Sequence, residues 1–227
     1  MTFYYAILSI PLSIIVSFIL AVLLHQGIKA AKLYRTAFFM PYVLDIFVVA
    51  IVWTFIYSAP YGVLPQLMGK INSQWAGVNF LALPWTAMLA VVFAMVLKNA
   101  GFGMILFLAG LQNISKSLYE AAEIDGATGI KKHWFVTLPM LKPVVLFMVV
   151  TGVIAALSAF AEFYGMTGGG PIVNLKGNAL GMTKVTGLYL FRAFENLKLG
   201  YAAATSFLLL ILTVILSVAG FKLIGRR

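Results

Sequence analysis

The sequence predicts an all-α, polytopic membrane protein built as a bundle of five transmembrane helices. Of its 227 residues, 63% are hydrophobic and 10% are charged, and the mean hydropathy is +1.02. One soluble core of this length would not bury so much apolar surface, so a lipid bilayer must solvate part of it. Five apolar segments are each long enough to cross a hydrocarbon core of about 30 Å.

The composition also excludes several functions. Cysteine is absent and His25 and His133 are the only histidines, which excludes disulfides, thiolate metal sites and histidine clusters. The net charge of +10 does not indicate nucleic-acid binding, because the basic residues are dispersed between apolar segments. The sequence shows no nucleophile, acid–base pair or metal set, so we expect neither an enzyme nor a cofactor-binding chain.

The first two spans are predicted at about residues 3–25 and 37–58. The first is too long and uninterrupted for a typical signal peptide, and it has neither a preceding basic residue nor a following small-residue cleavage site. The second contains Pro41, which frees a backbone carbonyl, and Asp45 one helical turn later. A Pro/Gly-rich connection from Ala59 to Trp75 follows the second span.

The third span, at 83–111, is longer than one perpendicular crossing needs. It is interrupted by Lys98, Asn99, Gly101 and Gly103. We therefore expect one long helix that is tilted or kinked.

A charged connector at residues 115–139, here called the elbow, follows the third span. Ser117 followed by Glu120 fits a capping box, and Gly126 suits the left-handed residue that ends a first short helix. A second helix should stop at Pro139, because proline has no amide hydrogen to continue the ladder. The elbow is thus predicted to be a glycine-jointed pair of short helices.

The last two spans are predicted at 143–165 and 201–224, joined by a loop that contains Gly168–Pro171. This glycine run is not a phosphate cradle, since no Lys-Ser or Lys-Thr follows at the required spacing and no strand precedes it. We interpret it as a hinge or turn.

The basic residues predict the orientation, because cytoplasmic loops of membrane proteins are enriched in lysine and arginine. Ten lie on the side of the elbow and five on the opposite side, which places the elbow and the C-terminus in the cytoplasm. Five spans then leave Met1 outside without a signal peptide, so we expect an upstream helix to be missing. The ten are Lys29, Lys32, Arg35, Lys116, Lys131, Lys132, Lys142, Lys222, Arg226 and Arg227, and the five are Lys70, Lys176, Lys184, Arg192 and Lys198.

The elbow carries a recognisable spacing of residues. Glu120-Ala121-Ala122, Gly126 and Leu138-Pro139 resemble the EAA motif of permease subunits in bacterial binding-protein-dependent ABC importers, with Val136 where that family usually has isoleucine. The resemblance extends over almost the whole chain and favours the oligosaccharide and glycerol-phosphate branch. Further matching segments are Arg35–Pro41, Ala109–Gln112, Phe160–Pro171, Gly187–Phe194 and Gly200–Ala202.

The resemblance implies the five-helix core of an importer permease, a single domain in the bacterial cytoplasmic membrane. It implies a second homologous permease subunit, two ATPase subunits that bind ATP and Mg²⁺, and an extracytoplasmic solute-binding protein as partners. The elbow would be the coupling helix pair that docks on an ATPase. The expected docking residues are Glu120, Ala121, Ala122, Glu123, Asp125, Gly126 and Ala127.

The residues themselves leave other readings open. The acidic side chains of the elbow would otherwise only cap helices and pair with Lys131 or Lys132. Another function, that of a self-sufficient secondary transporter or channel, would call for paired repeats or intramembrane acids placed for ion coupling, and no convincing repeat is visible.

Polar residues in apolar spans point to a substrate pathway, because they are expensive in hydrocarbon and should face the bundle interior, a partner or water. A sugar offers hydroxyls and apolar ring faces, so hydrogen-bonding groups interleaved with aromatic rings suit it. The alternative is structural: Asp45 and Lys98 would pair with each other or with another subunit, and Glu162 would lie at the external interface. The predicted pathway residues are Asp45, Trp53, Lys98, Asn99, Glu162 and Tyr164.

Overall fold

The computed structural model describes residues 1–25, 27, 29–75, 77–175 and 178–225. These residues form twelve α-helices, one 3₁₀ turn, one π-helical turn and one antiparallel hairpin. Three basic residues used to predict the orientation, Lys176, Arg226 and Arg227, lie outside the described residues. The helices are α1 (Thr2–His25), α2 (Ala31–Val43), α3 (Ile46–Tyr57), α4 (Val63–Ile71), α5 (Pro84–Gln112), α6 (Lys116–Ile124), α7 (Ile130–Lys132), α8 (Leu138–Met140), α9 (Lys142–Leu157), α10 (Ala161–Met166), α11 (Thr186–Glu195) and α12 (Leu199–Gly225); the 3₁₀ turn is Ser73–Trp75, the π turn His133–Thr137, and the strands β1 (Ile172–Leu175) and β2 (Asn178–Gly181).

The all-α membrane fold predicted from the sequence is confirmed. Three helices, α1, α5 and α12, are each long and apolar enough to cross a bilayer. Two bent helix pairs raise the number to five if each pair forms one span. One pair is α2 with α3, and the other is the segment His133–Met140 with α9.

The predicted span at 37–58 is not one straight helix. Its two halves, α2 and α3, meet at an angle of 102°. The break occurs where Leu44 and Asp45 adopt extended backbone conformations, and an Asp45 carboxylate oxygen accepts a hydrogen bond from the Phe47 amide at 2.8 Å. Asp45 therefore caps a new helix by satisfying an amide that has no intrahelical partner, which lets the chain change direction.

The third span is a single 29-residue helix, α5, which runs without a break through the polar and glycine positions expected to interrupt it. A β-carbon at Gly101 would overlap the Phe38 carbonyl, and one at Gly103 would overlap the Ser17 hydroxyl. The glycines thus permit α2 and α1 to approach α5 closely. The Ser17 hydroxyl donates to the Ala100 carbonyl at 3.1 Å across the same contact.

Helix α5 is the centre of the bundle. In an 18-residue apolar stretch of α5, 67% of the residues are buried inside the protein, compared with 22% for the corresponding stretch of α1 and 6% for that of α12. Two clusters of buried side chains lie along α5, one at each end. The first includes Tyr5, Val91, Met95, Phe163 and Leu188, and the second includes Ala21, Met104, Phe107, Leu111 and Leu141.

The predicted span at 143–165 also breaks. Helix α9 ends at Leu157, and the chain re-enters a helix only at Ala161. Helix α11 packs against this break at Gly187. The approach is so close that a β-carbon at Gly187 would overlap the Ala159 carbonyl. Helix α10 then packs against α3, with Gly165 beside the Ala50 methyl group.

The connections predicted as loops contain regular structure. Helix α4 and the 3₁₀ turn lie between the second and third spans, and the hairpin and α11 lie between the fourth and fifth. Gly168 and Gly169 have φ angles of +58° and +88°, so the glycine run forms a turn. A hinge or a turn was predicted for it. An Arg192 guanidinium nitrogen donates to the Gly168 carbonyl and holds this turn against α11.

Candidate functional site

A cavity of about 210 Å³ lies between α1, α2, α5 and α9, and it is partly open to the surface, since the lining residues Tyr42 and Asn99 are exposed. Its polar groups are hydroxyls and one carboxamide, and its walls are otherwise apolar or aromatic. No residue that lines it carries a formal charge at neutral pH. The lining is Tyr5, Ser9, Ile10, Ser13, Ile14, Tyr42, Met95, Val96, Asn99, Phe102, Met148, Thr151, Gly152, Ala155 and Ala156.

One wall of the cavity is aromatic. The rings of Tyr42 and Phe102 stack with centroids 4.6 Å apart and planes 11° apart. Asn99 lines the cavity one helical turn before Phe102 on α5, as the spacing of three residues requires. An amide and hydroxyls beside flat rings suit an uncharged ligand that has both hydroxyl groups and apolar faces.

Lys98 contacts this aromatic wall at Tyr42 without lining the cavity itself. It is 8% exposed, and its Nζ donates to the Tyr42 carbonyl at 3.0 Å while lying 5.3 Å from the centroid of the Tyr42 ring. Tyr42 is in the last turn of α2, where backbone carbonyls lack intrahelical partners and favour a cation. No Asp45–Lys98 ion pair forms, so Lys98 instead joins α5 to the end of α2.

The remaining predicted pathway residues divide into two groups. Glu162 is 5% exposed and does not line the cavity. It accepts a hydrogen bond from the hydroxyl of Tyr5, which does line it. Asp45, Trp53 and Tyr164 do not line the cavity. Asp45 is an exposed helix cap, Trp53 stacks on the Tyr57 ring at 5.3 Å, and Tyr164 packs edge-on to Phe191 at 5.3 Å.

The sequence analysis missed the hydroxyls on α1. Ser9, Ser13 and Ser17 are spaced four residues apart, which places them on one face of the helix. Ser9 and Ser13 line the cavity, and Ser17 bonds to α5 beyond it. This stripe in an apolar helix was the signal that could have identified α1 as a cavity wall.

The joint of the elbow is a Schellman motif. The Ala127 amide donates to the Ala122 carbonyl at 2.8 Å, and the Gly126 amide donates to the Glu123 carbonyl at 3.0 Å. Gly126 has a φ of +78°, which confirms the left-handed glycine predicted at this position.

Two local predictions for the elbow are wrong. Helix α6 begins at Lys116, so Ser117 lies inside its first turn and bonds to the Ser115 hydroxyl at 3.0 Å instead of forming a capping box with Glu120. The second helix does not stop at Pro139 but continues to Met140 through the π turn, in which the Leu138 amide donates to the His133 carbonyl. Pro139 lies directly after the π turn, within α8.

Buried hydrogen bonds fix the angle of the elbow. The fully buried Thr137 hydroxyl lies 3.2 Å from both the Tyr119 hydroxyl and His133 Nδ1, and thereby joins α6 to the π turn. A Glu123–Lys132 salt bridge connects α6 to α7 at the surface. The His133 ring packs edge-on to Phe18 of α1, so the elbow is also attached to the bundle.

The predicted docking residues differ in exposure. Glu120, Ala121, Asp125 and Gly126 are exposed, Ala127 is half-buried, and Ala122 is buried. Glu123 is exposed but pairs with Lys132, which is the structural alternative anticipated for the acidic residues. Ile124, which the sequence analysis did not select, is 87% exposed beside the acidic side chains.

Metal binding has no visible basis in the described part of the chain. No group of three or more histidine or acidic side chains there could hold a metal ion.

Comparison with known proteins agrees with this architecture. The family described as "Binding-protein-dependent transport system inner membrane component" matches residues 1–226. Relatives include the probable ABC transporter permease protein YurN of Bacillus subtilis, which is 34% identical over 96% of this chain and 73% of its own length. Two others are the sn-glycerol-3-phosphate transport system permease protein UgpA of Yersinia pestis and the lactose transport system permease protein LacF of Rhizobium radiobacter. Each is 31% identical over 100% of this chain and 74% of its own length.

Solved structures show the same fold. A chain of a bacterial alginate ABC transporter, in complex with an alginate pentasaccharide-bound periplasmic protein, superposes with a TM-score of 0.81 at 21% identity, covering 97% of this chain and 75% of its own. A second alginate importer structure gives a TM-score of 0.78 at 22% identity, over 99% of this chain and 77% of its own. With a family match over nearly its full length and relatives above 30% identity, the chain belongs to the inner membrane components of binding-protein-dependent transport systems, and it is a transporter permease and not an enzyme.

Proposed function

We propose that the chain forms half of the translocation pathway of an ATP-driven importer for a sugar or oligosaccharide. The observation that carries this proposal is the continuity between the elbow and the cavity. Helix α5, which precedes the elbow, lines the cavity through Asn99 and Phe102, and α9, which follows it, does so through Met148 and Thr151. Movement of the elbow would therefore displace two of the four cavity walls.

The elbow is suited to transmit such movement as a rigid unit. The Schellman joint, the buried Thr137 hydroxyl and the Glu123–Lys132 salt bridge all oppose a change in its angle. Packed elements of this kind move as rigid bodies when a partner changes conformation. We propose that Glu120, Ala121, Ile124 and Asp125 form the surface on which a cytoplasmic ATPase subunit docks.

The chemistry of the cavity supports a carbohydrate substrate. Its hydroxyls and the Asn99 carboxamide can bond sugar hydroxyls, and the Tyr42–Phe102 wall can pack against a sugar ring. The substrates in the relatives' names, lactose and glycerol 3-phosphate, belong to those proteins and provide probes for this one.

The pathway needs partners outside this chain. We propose a second homologous permease subunit, two ATPase subunits that hold ATP and Mg²⁺, and an extracytoplasmic binding protein that delivers the substrate. Only 6% of the apolar 18-residue stretch of α12 is buried inside this chain. Most of this helix must therefore face lipid or another subunit. The elbow and the C-terminus are proposed to lie in the cytoplasm, as the distribution of basic residues predicts.

An exposed alanine offers a direct test of the elbow. The Ala121→Trp substitution adds bulk to the proposed docking surface without entering the core, since Ala121 is exposed. We expect loss of both the co-purifying ATPase and ATP-driven uptake, while Gln74→Trp, at an exposed site outside the elbow, retains both. Undiminished ATPase binding and uptake in Ala121→Trp would contradict docking, and uptake by this chain alone driven by an ion gradient would indicate a secondary transporter.

A further inference from the structure

Two large aromatic side chains are exposed on the π turn of the elbow. Trp134 is 66% exposed and Phe135 is 73% exposed. They lie in sequence between His133 and Thr137, whose side chains approach each other to 3.2 Å on the inner side of the turn. Thr137 is fully buried, so the inward positions are filled and the two aromatic rings lie on the outer side. Adjacent exposed aromatic side chains indicate contact with a surface outside this chain.

The π turn lies beside the end of a membrane-spanning helix. The His133 ring packs edge-on to Phe18 of α1, with centroids 6.3 Å apart. Phe18 precedes His25, the last residue of α1, by about 10 Å of helix. After the turn, Leu141 is 1% exposed and packs in the core cluster that contains Ala21 of α1. The turn therefore lies level with the last turns of α1, at the depth where membrane proteins are enriched in tryptophan.

Basic residues lie on both sides of the exposed aromatic pair. Lys131 precedes it and Lys142 follows it at the start of α9, and both are exposed. Neither forms a salt bridge with any residue that the structure describes. Met140, between them, is 49% exposed. The second half of the elbow thus combines positive charge with apolar surface.

The charges of the elbow are divided at its glycine joint. The acidic residues all precede Gly126, in or directly after α6, whereas Lys131, Lys132 and His133 all follow it. An anionic membrane surface attracts the second half and repels the first. This division favours lipid, and not the ATPase, as the occupant of the aromatic surface.

We propose that Lys131, Trp134, Phe135, Met140 and Lys142 form a binding surface for an anionic phospholipid of the cytoplasmic leaflet. The two ammonium groups attract the phosphate, while the apolar side chains pack against the glycerol backbone and the upper acyl chains. The surface goes beyond the proposed importer function, because it requires no ATPase, and it rests only on the proposed cytoplasmic position of the elbow. The acidic half of the elbow stays available to the proposed partner.

Tryptophan fluorescence tests the contact directly. The chain has four tryptophans, so replacing Trp53, Trp75 and Trp85 by phenylalanine leaves Trp134 as the only one. The full chain is placed in nanodiscs of equimolar phosphatidylcholine and phosphatidylglycerol, with bromine on the acyl chains of one lipid or the other. Both leaflets of a nanodisc have the same composition, so the result does not depend on the orientation of the chain.

Bromine quenches fluorescence only at close range. We therefore expect brominated phosphatidylglycerol to quench Trp134 more strongly than brominated phosphatidylcholine. Lys131→Gln with Lys142→Gln should abolish this difference, because the positive charges that select the lipid are lost. The matched control is Lys70→Gln with Lys198→Gln, at exposed lysines outside the elbow, which should preserve it.

Three results would overturn the proposal. The first is no quenching of Trp134 by either lipid, and the second is equal quenching by both. The third is quenching of Trp134 by aqueous iodide that a purified ATPase subunit removes, since this would assign the aromatic pair to the ATPase.

A second measurement keeps all four tryptophans. Phosphatidylglycerol is titrated into the detergent-solubilised chain, and the thermal unfolding midpoint is followed, because a ligand of the folded state raises it. Each lysine near an anionic lipid surface strengthens binding by roughly five- to sixfold. We therefore expect Lys131→Gln with Lys142→Gln to need about thirtyfold more lipid for the same rise, while the control pair needs no more than the unaltered chain. Equal responses of the two double variants would contradict the lipid surface.

The lipid surface and the importer function fail separately. A chain that prefers phosphatidylglycerol but neither co-purifies with an ATPase nor supports ATP-driven uptake would refute the importer function alone. A chain that does both but shows no preference for phosphatidylglycerol would refute the lipid surface alone.

Discussion

The Lys98 ammonium group donates a hydrogen bond to the backbone carbonyl of Tyr42 at 3.0 Å. This contact joins the central helix α5 to the last turn of α2 and positions the Tyr42 ring against Phe102. A lysine that the sequence suggested as a substrate contact thus holds the wall of the cavity in place. Its positive charge lies where the end of α2 presents partial negative charge.

Replacing Lys98 should loosen this wall. We expect Lys98→Met to destabilise the detergent-solubilised protein by about 1–3 kcal/mol, because the Tyr42 carbonyl loses a charged donor. Lys70→Met, at an exposed lysine, should have little effect. Thermal unfolding followed by fluorescence measures both, and equal midpoints for the two variants would contradict the structural role of Lys98.

Alanine substitutions at two glycines should have opposite effects on stability, because one glycine lies in a close helix contact of α5 and the other does not. Gly101→Ala forces a methyl group into the Phe38 carbonyl, so we expect a loss of about 1–3 kcal/mol in stability. Gly200→Ala has open space around its β-carbon and should stabilise slightly, since alanine favours helices by up to about 1 kcal/mol over glycine. Thermal unfolding midpoints should therefore shift in opposite directions.

In the elbow, the buried hydroxyl should matter more than the surface salt bridge. Thr137→Val keeps the shape of the side chain but leaves Tyr119 and His133 without a hydrogen-bond partner there, which should cost about 1–3 kcal/mol. Glu123→Gln removes a partly exposed ion pair and should cost about 0–1 kcal/mol. Chemical unfolding in detergent compares the two, and a larger effect of Glu123→Gln would contradict this ranking.

Asn99 should affect transport more than stability. Asn99 lines the cavity, so we expect Asn99→Ala to remove the proposed hydrogen bond to a sugar, worth about 0.5–1.5 kcal/mol, which corresponds to a few-fold to about tenfold loss of uptake. Leu97→Ala, two residues earlier and absent from the cavity lining, is the control. Uptake of radiolabelled lactose, normalised to expression, tests the prediction, and unchanged uptake would remove Asn99 from the pathway.

Much of the fold follows from local properties of the chain. Apolar length alone placed α1 and α12 to within a few residues, because a helix must satisfy its own backbone groups in lipid and must be long enough to cross it. Gly126 was predictable for a similar reason, since few other residues accept a positive φ at the end of a helix. The spacing from Glu120 to Pro139 identified the family, and the match over residues 1–226 confirmed it.

Contacts between distant parts of the chain decided the rest. The break after α9 occurs where Gly187 of α11 lies against the Ala159 carbonyl. Helix α5 continues unbroken through Gly101, where α2 packs into the space that the missing side chain leaves. The same kind of contact brought Thr2 to Thr186 and Tyr5 to Glu162. Hydropathy reports how well each residue dissolves in lipid, whereas a hydrogen bond depends on which donor the packed helices bring within about 3 Å. For that reason the spans could be read from the amino-acid sequence, while the cavity emerged only from the packed bundle.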